Sequence, residues 1–235
     1  MDRIIIAGNA TAAIILVSSL AACLLTSCAT PARHTELSWD KPPTPSEVAK
    51  WREKNGLTVA SESEIAEAKK RESSFVNGSA ADPFGGLSIT FQCGSRVGSR
   101  NTNLSTTSLY ILRDANGREL ASGPACMTKG DSAVQRAWFS PDGNQAIVFE
   151  YVRECNGPPP LTILFHEDSE SPGLWHTRFL ALPDFMNVPF DEGAHSECRG
   201  FLGDELLIDA TTDGTISKKK ISDLKERYPF PFTVG

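Results

Sequence analysis

Two short clusters of acids and histidines are the first places to look for chemistry. His166-Glu167-Asp168 with Glu170, and Asp191, Glu192, His195 and Glu197, each bring imidazole and carboxylate groups within a few residues of one another. Such groups ligate divalent cations or carry protons. Neither cluster has the alternating oxygen spacing of a dedicated calcium loop, so both are expected to be solvated loop residues. Asp191, His195 and Glu197 are retained as weak metal candidates. His176, between Trp175 and Thr177, reads as packed or exposed rather than catalytic. No G-x-S-x-G elbow, P-loop, G-x-G-x-x-G or H-E-x-x-H occurs. The sequence therefore names no catalytic residue and no cofactor, and the reading inclines to a non-enzyme.

The elements that position these groups begin after a proline-bearing stretch, residues 28–43, which reads as a tether. Thr44-Pro45-Ser46-Glu47 and Ser61-Glu62-Ser63-Glu64 are capping boxes that open two helices, the first stopped by Gly56 and the second running to about Arg71. Together they form an expected helical extension over residues 44–84. From Gly85 to Gly235 the hydrophobic period is two. Strands are expected near 87–93, 108–113, 118–123, 133–139, 145–151, 161–166, 174–181 and 201–209, with a ninth near 214–219. The turns Asp114-Ala115-Asn116-Gly117, Ser140-Pro141-Asp142-Gly143, Ser171-Pro172-Gly173 and Thr212-Asp213-Gly214 punctuate them. A short helix from Ser222 to Tyr228 closes the chain. The expected fold is mainly β (α+β): an antiparallel meander, open sheet or sandwich. Trp138, Phe139, Phe149 and Tyr151 read as core or cross-strand residues.

Tracing the strands up and down brings Cys93, Cys126, Cys155 and Cys198 to one end. Three pairings are open. Cys93–Cys126 with Cys155–Cys198 is preferred, because each joins successive loops, and each bridge would contribute about 2–4 kcal/mol. A Cys₄ zinc site would need closer spacing, such as C-x-x-C, which is missing. The same end carries the long connections 94–107, 124–132, 152–160 and 182–199, where recognition tends to reside.

The N-terminus supplies an address. Residues 4–26 are uncharged and mostly apolar after Arg3, the layout of a secretory signal. Leu25-Thr26-Ser27-Cys28 resembles the lipobox of bacterial lipoproteins, as does Leu20-Ala21-Ala22-Cys23. The resemblance implies a signal peptide over 1–27 and a lipid-modified cysteine carrying diacylglyceryl and palmitate-type chains. Cys28 is preferred over Cys23 because it leaves four other cysteines rather than an odd thiol. Ala29, instead of aspartate after the cysteine, implies the outer membrane rather than the inner. An uncleaved membrane-spanning anchor is the alternative.

A second resemblance lies in the β region. Leu109–Leu120 with its Asp114-Ala115-Asn116-Gly117 turn, followed by Ala137–Phe149 with Trp138-Phe139-Ser140-Pro141-Asp142-Gly143, resembles a TolB-type propeller repeat, and Gly200–Ile208 is a weaker echo. It implies blade-like hairpins. The length from Gly85 onward has room for three or four repeats at about 40–45 residues each, so an open arrangement is expected.

The net charge of −6 excludes the basic footprint of a nucleic-acid binder. Lys218-Lys219-Lys220 reads as a solvated edge. The expectation is a lipid-anchored envelope protein whose domain lies outside the cytoplasm, with an envelope protein or glycan as partner and a binding or structural role. The alternative is an envelope hydrolase or metal-dependent enzyme using the Asp191–Glu197 loop.

Overall fold

The computed structural model describes residues 42–93, 108–126, 133–152, 160–186 and 195–227. Two helices open this part of the chain, α1 (Pro45–Lys54) and α2 (Glu62–Lys70), each with a reciprocal capping box, Thr44 with Glu47 and Ser61 with Glu64. The side chain and backbone satisfy each other's orphan donors there, which is why both helices start where they do.

The rest is antiparallel β, in three open sheets. The first has the order β3 (Ser79–Ala81), β4 (Leu87–Gln92), β5 (Leu109–Asp114) and β6 (Glu119–Pro124). The central sheet runs β10 (Trp175–Leu180), β9 (Leu161–Glu167), β8 (Gln145–Val152), β7 (Ala133–Phe139) and β2 (Glu72–Ser74). The third runs β1 (Thr58–Val59), β13 (Ile216–Lys220), β12 (Glu205–Asp209) and β11 (Glu197–Leu202).

The central sheet is buried on both faces. Trp138, Ile147, Phe149 and Leu164 pack with Cys198, Phe201, Leu206 and Ile208 of the third sheet. Phe139, Val148, Ile163 and Phe165, one residue out of phase, pack with Ile89, Tyr110 and Leu112 of the first. Double burial explains why Ala146-Ile147-Val148-Phe149 and Leu161–Phe165 read as nearly unbroken apolar runs rather than as alternation. Ala68 of α2 packs with Ala60 and Leu207 on the other face of the third sheet.

Several expectations change. The segment 44–84 carries strands as well as its two helices: it supplies an edge strand to every sheet, within the compact unit Pro42–Gly235. The expected strand 201–209 is a hairpin of two strands turning at Gly203-Asp204, with Leu202 opposite Glu205 and Gly203 at φ +58°. The expected C-terminal helix is only a 3-10 turn, Ile221–Asp223. The backbone beyond it is drawn to the sheet edge instead: Ala181 N–H donates to Lys225 O and Arg227 N–H to Phe179 O. The repeat-like hairpins are distributed one per sheet, β5–β6, β7–β8 and β11–β12. Lys218 and Lys219 are not free solvated charges. Lys218 Nζ lies 2.7 Å from Glu64 and 2.9 Å from Glu205, and Lys219 donates to Asn55 O at 2.6 Å.

Candidate functional site

The described strand ends separate two working surfaces. Tight turns join β5–β6, β7–β8, β9–β10 and β11–β12 at one end, and the long connections after β4, β6, β8 and β10 leave from the other. The most chemically equipped surface at the turn end is on the β9–β10 hairpin. Register places His166 directly opposite His176. Their rings are stacked, centroids 5.3 Å apart and planes inclined by 29°. Asp168 Oδ2 is 3.6 Å from His176 Nε2, and Asp168 also accepts the Glu170 N–H at 2.9 Å. That backbone hydrogen bond is the main reason its carboxyl sits below the usual range. Burial, then the charges of His176 and Arg178, lower the pKa of His166. Arg178 is engaged by Glu226 at 2.6 Å. These residues line an open concavity of about 500 Å³. Sequence reading recognised both halves separately. What it lacked was the register that joins them.

The other candidates are placed differently. Asp191 and Glu192 lie outside the described residues. His195 packs its ring against Tyr151 at 5.3 Å, and burial lowers its pKa. Glu197 lies in a charge network, 3.0 Å from Arg199 and 3.8 Å from Arg136. Arg136 also approaches Glu72 at 3.4 Å, and Arg199 approaches Asp209 at 2.7 Å. A carboxylate already neutralised by two guanidiniums is a poor cation ligand. Among the described residues no three His, Cys, Asp or Glu side chains converge closely enough to hold a metal ion.

The loop-bearing end rests on a polar cluster that sequence reading missed. Tyr110 and Glu150 are almost wholly buried between the first and central sheets. Gln135 Nε2 donates to the Tyr110 hydroxyl, and the Glu150 carboxylate accepts the Cys126 N–H at 2.9 Å. Burial, reinforced by the charge of Glu150, raises the Tyr110 hydroxyl far above its ordinary range and pushes the Cys126 thiol up to about 12. The available signal was an acid at a core-facing position of an apolar strand, Ala146-Ile147-Val148-Phe149-Glu150.

The preferred disulfides are not formed in this structure. Cys126 and Cys198 are both thiols, and Cys155 lies outside the described residues. Leu109 pairs with Gln92 on one side and Pro124 on the other, so β5 separates the strands that lead into Cys93 and Cys126. At these last paired residues the two outer strands stand two interstrand spacings apart, about 9–10 Å. Cys198 sits inside β11, wholly buried against Gly200, rather than in a loop. The strand begins at Glu197, four residues before its expected start, which carries Cys198 into the core.

No known protein family, curated protein or solved structure matches this chain at a significant level.

Proposed function

We propose that this chain is an exported lipoprotein of the cell envelope, anchored through acyl chains on Cys28, whose β domain is a non-enzymatic binding or structural module. The observation that carries the binding role is the concentration of long connections at one end of three packed sheets, over a buried floor containing Tyr110, Gln135 and Glu150. A rigid scaffold with its long connections at one end suits recognition of an envelope protein or glycan. The apolar stretch 4–26 ending at Cys28 supports the anchor, since two or more acyl chains give stable membrane attachment. Among the described residues no helix is long and apolar enough to cross a membrane. The outer membrane is the proposed location, from Ala29.

Two measurements test the reading. Mass spectrometry of the mature N-terminus should find an acylated Cys28, and an intact Met1 would overturn the cleaved lipoprotein. Crosslinking in intact cells should capture a partner that is lost when polar residues in 94–107 and 187–194 become alanine. If substitutions in the turns at 115–118 and 168–174 abolish capture instead, the assignment of the working end fails.

A further inference from the structure

We propose that His166 and His176 form a two-histidine chelate for a divalent transition metal, copper(II) in preference to zinc(II), on the open face of the β9–β10 hairpin. Directly opposed residues of an antiparallel pair hold their Cβ atoms about 4.5–5.5 Å apart on the same face. Two imidazoles on such positions can each place a nitrogen about 2.0–2.1 Å from one ion between them. The observed rings are already neighbours, 5.3 Å between centroids. Rotation about the terminal torsion, which is soft for histidine, turns a nitrogen of each ring toward a shared ion. The His176 side chain is 46% exposed, so that rotation meets little packing.

The surroundings favour a cation. Asp168 stands beside His176, where a carboxylate orients a ligating imidazole. The nearest positive group, Arg178, is offset by its ion pair with Glu226. The concavity of about 500 Å³ leaves room for water, or for a ligand from a partner, to complete the coordination. Because the protein supplies two imidazoles rather than a closed set of four ligands, the site exchanges its ion readily. Imidazole donors suit copper and zinc, and the order of divalent affinities places copper first.

The test is calorimetric titration of the mature chain with copper(II) and zinc(II) salts, accompanied by electron paramagnetic resonance of the copper form. One copper per chain should bind, more tightly than zinc, with nitrogen hyperfine structure from two imidazoles. His166→Gln or His176→Gln should each weaken binding about tenfold or more, while His195→Gln leaves it unchanged. Thermal unfolding of each variant checks that the fold is intact. Undiminished copper binding by the double variant His166→Gln/His176→Gln overturns the proposal. So does absence of copper binding by the parent at roughly 100 μM.

Discussion

Replacing Gly200 by alanine should destabilise the domain far more than the same change at a turn glycine. Gly200 sits at φ +115° just after a register shift in β11, between Cys198 and Gly200. An added Cβ there would lie 2.9 Å from Trp138 Nε1, 3.0 Å from its Cδ1 and 3.1 Å from Ala68 Cβ. Trp138 and Ala68 are both fully buried, so neither has space to retreat. A left-handed backbone costs a non-glycine residue about 1–2 kcal/mol. Forcing a methyl into a packed core costs roughly 1–3 kcal/mol more. The combined loss of about 2–5 kcal/mol is a large share of a typical domain's 5–15 kcal/mol. At about 2–4 °C per kcal/mol for a domain of this size, the melting temperature should fall by on the order of 10 °C. Gly143 is the control: its φ is +70° but an added Cβ meets nothing within 4 Å. Gly143→Ala should therefore show the backbone cost alone, about 1–2 kcal/mol. Urea unfolding and calorimetry of the two variants give the comparison. Equal losses would refute the claim that the close approach of β11 to Trp138 requires glycine.

Two further outcomes follow from the same packing. Arg52 on α1 donates to both oxygens of Asp213, at 2.9 and 3.0 Å, and to Thr211, so Arg52→Met should cost about 1.5–3 kcal/mol. Burial opposes the charge on Asp213, but hydrogen bonds from Thr211, the Thr215 N–H and Arg52 outweigh it and hold the carboxyl at about 2. Its folded value lies below the unfolded value of about 3.9, so its contribution is present above pH 4 or so and fades as pH falls toward 2. Urea midpoints should fall less steeply across that window in Arg52→Met than in the parent; parallel curves would contradict the pairing. Cys198 is wholly buried, and burial pushes its thiol up to about 12. Iodoacetamide should label it only after unfolding, as read by peptide mass spectrometry, and rapid labelling of the native protein would place it elsewhere.

What the sequence alone determined was local. Thr44 with Glu47 and Ser61 with Glu64 set the helix starts because a capping box needs only four residues. Alternation, short apolar runs and turn glycines located β4 to β10 within a residue or two, since strand patterning and left-handed turns are properties of short segments. The Gly203-Asp204 hairpin was readable on the same grounds, but the apolar residues around it masked the turn. Tertiary structure decided everything that depends on a distant partner. β1, β2 and β3 have only two or three residues each, too few for a period to show, and exist because β13, β7 and β4 offer them an edge. The burial of Cys198, Tyr110 and Glu150 depends on which sheet faces which. His166 and His176 meet because one register was chosen in the β9–β10 hairpin. Side chains alternate faces with period two, so a slip of one residue would have placed them on opposite sides of the sheet.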